Sequence, residues 1–221
     1  MSRRQAKDAV FEQFARIGKA LASAKRVELI DLLAQGERSV DALARATGMN
    51  LTTASAHLQV LRQARLVATR RDGARVFYRL AGDDVAELYL TLQRVSEAHL
   101  PDLAAARADF LGTDEAEPID RDELWRADAG DVTVIDVRPA EEYAGGHLPG
   151  AISIPLETLA ERLDEIPTDT EVVAYCRGPY CVLSYDAVRL LREHGRPARR
   201  LADGVLEWRA ADLPVATGGA A

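Results

Sequence analysis

Apolar side chains in the N-terminal half of the chain recur every three or four residues, which predicts amphipathic helices. A helical stretch covers residues 7–34, and its first apolar stripe consists of Val10, Phe14, Ile17 and Leu21. Ser39 and Asn50 are placed to cap two shorter helices, of which the second covers residues 51–64. A long helix begins at Asp83. The first half of the chain is therefore predicted to be mainly helical.

Two short runs with strand-like composition lie between these helices and flank a tight turn. The runs cover residues 66–70 and 74–80, and the dipeptide Asp72-Gly73 between them is a strong signal for a β-hairpin. Pro101 interrupts the last helix. Helices followed by a hairpin and a further helix are typical of a winged helix-turn-helix domain. We place this domain at residues 1–111.

The pattern changes in the second half, where short apolar runs alternate with helical stretches. This alternation predicts an α/β domain with a parallel sheet covered by helices, which we place at residues 119–215. Residues 112–118 are acidic and contain glycine, so they are predicted to form a linker, and residues 216–221 a flexible tail. The predicted strands cover residues 132–136, 151–154, 172–175 and 198–201.

The charge is distributed unevenly between the two halves. The net charge is −7, yet residues 1–80 carry 15 Lys and Arg against 7 Asp and Glu, which is compatible with a polyanionic partner. No apolar run reaches the roughly 18 residues needed to cross a membrane. The N-terminus does not resemble a signal peptide, and two cysteines do not form a secreted-type disulfide framework. We therefore expect a soluble cytoplasmic protein.

The predicted helix 51–64 has an apolar face and a polar face. The polar face and its flanks carry small side chains, a glutamine and an arginine, which suit the base edges of the major groove. The candidate DNA-binding residues there are Thr52, Ser55, Ala56, Gln59 and Arg62. Three arginines at the hairpin tip are candidates for contacts with phosphates or a minor groove: Arg70, Arg71 and Arg75. The alternative is a solvated helix face beside a basic hairpin that only confers solubility.

Residues 42–80, and above all residues 48–61, resemble the ArsR family of dimeric winged-helix repressors. The resemblance covers residues 8–110 and implies a homodimer on a double-stranded DNA operator, with the first helix and helix 83–100 in the dimer interface. The chain departs from metal-sensing members of that family, because residues 40–47 contain no cysteine and the long helix has no Asp-x-His pair. We therefore expect no metal site and no cofactor, and the inducing signal must come from elsewhere.

Four segments of the second half resemble the rhodanese (thiosulfate sulfurtransferase) domain. They are residues 136–143 (Asp-Val-Arg-Pro-Ala-Glu-Glu-Tyr), residues 146–151 (Gly-His-Leu-Pro-Gly-Ala), Cys176, and residues 204–208 (Gly-Val-Leu-Glu-Trp). Asp136 and Arg138 are expected to pair with each other or with loop backbone, and His147 to support the same turn. Phosphatase-type loops carry an arginine six residues after the cysteine. Val182 occupies that position, which argues against phosphatase or arsenate reductase chemistry.

Cys176 is the candidate catalytic residue, because it follows an apolar strand and precedes a helix. It therefore lies at the carboxyl edge of the predicted sheet, where ligand sites form. Loop N–H groups and the helix N-terminus favour a thiolate, which can hold a donor's sulfane sulfur as a persulfide until a thiol acceptor removes it. Arg177 is placed to guide an anionic donor. The alternative is an inert buried thiol. The candidate active-site loop consists of Arg177, Gly178, Pro179, Tyr180, Cys181 and Val182.

Cys181 is a second thiol at a position where sulfurtransferase loops commonly carry a basic or hydroxyl residue. It is a candidate resolving thiol that attacks a persulfide on Cys176 and releases sulfide; the alternative is that it only fills space at the helix start. The two modules together predict a DNA-binding regulator whose rhodanese domain senses or transfers reactive sulfur from thiosulfate, a persulfide or a polysulfide. The alternatives are a sulfurtransferase with an accessory DNA-binding and dimerisation domain, and an inactive docking domain.

Overall fold

The computed structural model describes residues 1–112, 117–127 and 130–219. The chain forms two compact units, Met1–Gln93 and Arg94–Ala221. Most of the predicted linker 112–118, and the last two residues of the predicted tail, lie outside the described residues. The division between the units falls inside the helix Asp83–His99 and not at the predicted linker. The predicted domain limits, residues 1–111 and 119–215, stay predictions.

The first unit consists of helices and a small antiparallel sheet, as the hydrophobic pattern predicts. The sheet has the strand order β1-β3-β2, in which β2 and β3 form the expected hairpin with Asp72 opposite Arg75. Its strands are β1 (Arg38–Ser39), β2 (Val67–Asp72) and β3 (Arg75–Leu80). Its helices are α1 (Arg3–Leu21), α2 (Ala24–Ala34), α3 (Val40–Ala46), α4 (Leu51–Gln63) and the beginning of α5 (Asp83–His99).

The predicted helix caps are confirmed, and they place α4 against the core. The Ser39 hydroxyl accepts a hydrogen bond from the N–H of Ala42, and the Asn50 side chain accepts one from the N–H of Thr53. The apolar face of α4 is fully buried and consists of Ala54, Leu58 and Leu61. Each buried leucine side chain contributes about 1.5–3 kcal/mol to this packing. The opposite face of α4 is thereby directed outward.

The prediction of one helical stretch over residues 7–34 is wrong. Ser23 has an extended backbone and separates α1 from α2. The guanidinium group of Arg26 donates hydrogen bonds to the carbonyl oxygens of Lys19 and Ala20 at the end of α1. These carbonyls lack intrahelical partners, so the arginine stabilises a helix end that no glycine or proline marks.

The second unit is an α/β domain with a parallel sheet, as predicted. The strand order is β5-β4-β6-β7, and each neighbouring pair is parallel. The strands are β4 (Val132–Asp136), β5 (Ile152–Ser153), β6 (Glu171–Tyr175) and β7 (Ala198–Arg200). The helices are the end of α5, α6 (Asp102–Leu111), α7 (Arg121–Arg126), α8 (Ala140–Gly145), α9 (Leu156–Leu159), α10 (Val182–Glu193) and α11 (Val205–Ala210), with a 3-10 turn at Leu163–Glu165.

The sheet is buried on both faces, and its carboxyl edge leads into the loops that carry the candidate chemistry. Val172, Val173 and Ala174 of β6 are fully buried. The tail predicted to be flexible begins with hydrogen-bonded residues, because Ala216 exchanges backbone hydrogen bonds with His147, and the N–H of Gly218 donates to Ala144. Within the described residues, no helix combines the length and apolar composition that crossing a membrane requires.

Candidate functional sites

The exposed face of α4 carries most of the predicted base-reading residues. Thr52, Ala56 and Arg62 are exposed, and Ser55 is half-buried. Gln59 is held in place, because its side-chain amide donates a hydrogen bond to the hydroxyl of Tyr78 at 3.0 Å. The structure therefore places four of these side chains outward and fixes the fifth against β3.

The three arginines of the hairpin differ in their surroundings. Arg71 and Arg75 are exposed. Arg70 is also exposed, but it donates hydrogen bonds to both carboxylate oxygens of Glu37, the shortest at 2.6 Å, and lies over the ring of Phe77. Its guanidinium therefore ties the hairpin to the chain segment that leads into β1. Sequence reasoning missed Glu37 because it is 33 residues from Arg70.

The predicted apolar stripe of α1 divides into an exposed part, Val10 and Phe14, and a half-buried part, Ile17 and Leu21. Val10, Phe11 and Phe14 expose 51%, 57% and 66% of their surface. Phe11 and Phe14 pack edge-to-face with each other. Leu88 of α5 is also exposed. Neighbouring large apolar side chains on a folded surface typically mark an interaction site.

Cys176 directly follows β6, and Cys181 directly precedes α10, so residues 176–181 form a loop between strand and helix that we call the thiol loop. Cys176 exposes 2% of its surface and Cys181 exposes 8%. The Cys176 thiol donates toward the hydroxyl of Ser184 at 3.3 Å and the carbonyl oxygen of Cys181 at 3.4 Å. Val182 begins α10, so the position that carries arginine in phosphatase-type loops lies in a helix's first turn.

The surroundings of the loop shift the pKa values of its two thiols in opposite directions. Burial raises the pKa of Cys176, and its hydrogen bond to Cys181 acts in the same direction. That hydrogen bond lowers the pKa of Cys181 to about 7, with help from the charge of Arg177 and from the N–H groups of Arg177 and Leu183. The raised pKa of Cys176 runs against the prediction that the loop favours its thiolate, and the lowered pKa of Cys181 makes Cys181 the more acidic of the two thiols.

Arg177 is held by a buried carboxylate. It donates to both oxygens of Glu142, at 2.7 and 2.9 Å, and Glu142 on α8 exposes only 3% of its surface. The sequence places Glu142 in the rhodanese-like segment 136–143 but does not indicate its pairing with Arg177. The predicted role of Arg177 as a guide for anionic donors stays a prediction, but its charge is already matched by this carboxylate.

A further carboxylate and a close backbone contact complete the surroundings of the loop. A Cβ atom on Gly204 would lie 2.2 Å from the carbonyl oxygen of Arg177, so only glycine fits there. The N–H of Gly204 donates to Glu207, and a Cβ atom on Gly178 would lie 3.1 Å from the same carboxylate. The motif at residues 204–208 therefore shapes the thiol loop.

Tyr180, which stands between the two cysteines, connects the loop to α5. Its hydroxyl donates to the carboxylate of Glu97 at 2.6 Å, and Arg107 of α6 lies over its ring. Partial burial and the bond to Glu97 raise the pKa of Tyr180 to about 12. Tyr180 and Glu97 are separated by 83 residues, which is why sequence reasoning did not pair them.

Asp136 and Arg138 form the buried ion pair that the sequence predicts. Both side chains are fully buried, with 2.5 Å between Arg138 Nη2 and Asp136 Oδ2. The hydroxyl of Tyr175 donates to the same carboxylate at 2.7 Å and accepts from the N–H of Leu148 at 3.1 Å. His147 stacks on Tyr143 and bonds to its carbonyl oxygen, which confirms that it supports this turn. The network anchors β4 and β6 just before the thiol loop.

Comparisons with known proteins agree with both modules. Residues 120–211 match the model of the rhodanese-like domain, and residues 23–69 match that of the bacterial regulatory protein, arsR family. The chain is 57% identical to the HTH-type transcriptional regulator Rv0324 of Mycobacterium tuberculosis, over 96% of this chain and 94% of that protein.

Two further similarities each concern one module. A sulfurtransferase of Allochromatium vinosum is 36% identical over 40% of this chain and 82% of that protein. The solution structure of the homodimeric winged helix-turn-helix DNA-binding domain Mb0332 of Mycobacterium bovis is 56% identical, covers 45% of this chain and 91% of that chain, and superposes with a TM-score of 0.42.

Proposed function

Because the chain belongs to the ArsR-family HTH-type transcriptional regulators and also carries a rhodanese-like domain, we propose that sulfur loading of Cys176 controls its DNA affinity. In this proposal the protein is a cytoplasmic homodimer. The observation that carries it is the position of Tyr180, which lies in the thiol loop and bonds to Glu97 on α5. A chemical change at the cysteines thus has a direct structural connection to that helix.

DNA contacts are assigned to α4 and to the hairpin. Thr52, Ala56 and Arg62 are exposed on α4 and suit contacts in a major groove. Arg71 and Arg75 project from the hairpin and suit phosphates or a minor groove. Arg70 and Gln59 orient the hairpin and α4 through their bonds to Glu37 and Tyr78.

The exposed apolar face of α1 supports a second copy of the chain as partner. Val10, Phe11 and Phe14 would be buried by a symmetric contact, as in a homodimer interface. The protein Mb0332, which resembles the first module, is described as homodimeric. Dimerisation through α1 would place two copies of α4 on one operator.

The proposed loading reaction uses both cysteines. As the sulfur of Cys176 attacks the outer sulfur of a persulfide RS–SH, the thiolate of Cys181, the more acidic thiol, accepts the proton of Cys176. The S–S bond of the donor breaks, RS⁻ leaves with the electron pair, and Cys176 carries the –SH. In a second branch Cys181 first gives its proton to solvent, and its thiolate then attacks the inner sulfur of the loaded Cys176. The S–SH bond breaks, a Cys176–Cys181 disulfide forms, and hydrosulfide leaves with the electron pair.

Burial supports the step from loading to a change of shape. Cys176 is packed among β6, the thiol loop and Ser184. An extra sulfur atom in a filled core costs about 1–3 kcal/mol unless its neighbours move. The thiol loop packs against Cys176 and carries Tyr180. A displacement of the loop would therefore alter the hydrogen bond between Tyr180 and Glu97. Coupling of 1–3 kcal/mol is typical of allosteric proteins.

The test is a polysulfide titration in which cysteine mass and operator affinity are measured on the same sample of full-length protein. We expect a gain of about 32 Da on Cys176, or a Cys176–Cys181 disulfide, and a change in operator Kd of about 5–150-fold. An unchanged Kd for fully loaded protein would refute sensing. The absence of any adduct would favour the alternative that the rhodanese-like domain is an inactive docking domain.

The arginines of the hairpin give a separate prediction about DNA binding. Arg71→Ala and Arg75→Ala should each weaken operator binding and reduce the slope of log Kd against log salt by about one, because each removes a phosphate contact. The matched control is Arg126→Ala, which removes an exposed arginine from α7. Fluorescence anisotropy at several salt concentrations provides the measurement, and slopes equal to that of the control would contradict the assignment.

A sulfurtransferase enzyme is the second candidate, supported by the similarity of the C-terminal module to the Allochromatium vinosum sulfurtransferase. A sensor needs to load only once, whereas an enzyme must complete the cycle repeatedly. Sustained thiosulfate:cyanide turnover at many cycles per protein, with operator affinity insensitive to loading, would favour the enzyme.

A further inference from the structure

We infer that Glu142 is a specificity-determining residue, which makes the thiol loop select persulfides of low charge over dianionic donors such as thiosulfate. The inference rests on the proposed loading of Cys176 and adds the class of donor. It depends on the carboxylates that surround the loop.

The first observation is the pairing of Arg177, the residue next to Cys176. Its guanidinium makes a two-pronged contact with Glu142, and the exposed fractions of the two side chains are only 20% and 2%. Charge-assisted pairs of this shape are strong and directional. The guanidinium that a dianion would approach is therefore already matched by one full negative charge at 2.7 Å.

The second observation is the position of Glu207 on the other side of the loop. Its carboxylate lies so close to Gly178 that a Cβ there would be 3.1 Å from Oε1. It is held in that position by the N–H of Gly204. Cys181, whose pKa is about 7, adds negative charge inside the loop near neutral pH. A donor with two negative charges would meet these groups together.

Thiosulfate and an alkyl persulfide differ in the negative charge that they bring to the thiol loop, so the carboxylates around the loop affect their loading rates differently. When the sulfur of Cys176 attacks the outer sulfur of thiosulfate and its proton passes to the Cys181 thiolate, the S–S bond breaks and sulfite leaves with the electron pair, so the two charges of the donor join the one charge of the thiol pair at one site. When it attacks RS–SH, the charge stays at one and RS⁻ leaves. Nearby charges change the rates of such encounters by about 10–1,000-fold, and salt screens the effect.

The test compares Glu142→Gln with wild type in the full chain. The measured quantity is the second-order rate of persulfide formation on Cys176, by mass spectrometry, with thiosulfate and with an uncharged-chain alkyl persulfide. We expect thiosulfate loading to become about ten-fold faster in the variant, while alkyl persulfide loading changes less than about three-fold. Glu141→Gln is the matched control, because it makes the same change at the exposed neighbouring position of α8.

Wild-type protein supplies a test that does not depend on folding of the variant. Its loading by thiosulfate should accelerate with added salt, because screening reduces repulsion, and should be slower than loading by the alkyl persulfide. Thiosulfate loading that is as fast as alkyl persulfide loading, or that slows with salt, would overturn the inference and leave the proposed function standing. Loading by neither donor would overturn both, and selective loading without a change in operator Kd would overturn only the proposed sensing.

Discussion

Cys176→Ser should give a regulator whose operator affinity is the same before and after treatment with polysulfide. The serine hydroxyl is smaller than the thiol and retains Ser184 and the carbonyl oxygen of Cys181 as hydrogen-bond partners, so the fold of the loop is preserved. The hydroxyl does not form a persulfide. Wild-type protein should show the full change of about 5–150-fold in the same assay.

Cys181→Ser is the matched comparison, since it alters the second thiol of the same loop. It should still load Cys176, but more slowly at neutral pH, because it lacks the group that accepts the proton. In wild type the loading rate should rise as the pH passes about 7, where Cys181 loses its proton. A response to polysulfide that persists in Cys176→Ser, or a loading rate in Cys181→Ser equal to that of wild type across this pH range, would contradict these roles.

Asp136→Asn should destabilise the second unit by about 3–5 kcal/mol. The substitution removes the carboxylate that pairs with the fully buried guanidinium of Arg138, and it weakens the bond from Tyr175. The loss should appear as a lower urea midpoint in tryptophan fluorescence. The chain has two tryptophans, Trp125 and Trp208, and both lie in the second unit, so the signal reports that unit.

Asp122→Asn is the control for this prediction. Asp122 is exposed and lies 3.8 Å from Arg126, and surface ion pairs of this kind contribute about 0–1 kcal/mol. A midpoint for Asp136→Asn within the range of this control would show that the buried pair is not an anchor of the sheet.

Much of the fold follows from signals that act over a few residues. The caps at Ser39 and Asn50, the hairpin at Asp72-Gly73 and the buried face of α4 depend on neighbours along the chain, and each is found as predicted. The parallel sheet follows from alternating strands and helices. Short-range signals of this type can be recognised in a sequence because the interacting atoms are close along the chain.

The properties that decide function at the candidate sites come from contacts between distant parts of the chain. Folding pairs Arg70 with Glu37, Arg177 with Glu142 and Tyr180 with Glu97, and no local pattern indicates these partners. Folding also buries Cys176, which raises its pKa, and it lowers the pKa of Cys181, since desolvation and nearby charges depend on everything packed around a thiol. The sequence alone therefore identifies the candidate reactive residues. Their pKa values and their partners are decided only by the tertiary structure, because it brings remote side chains together.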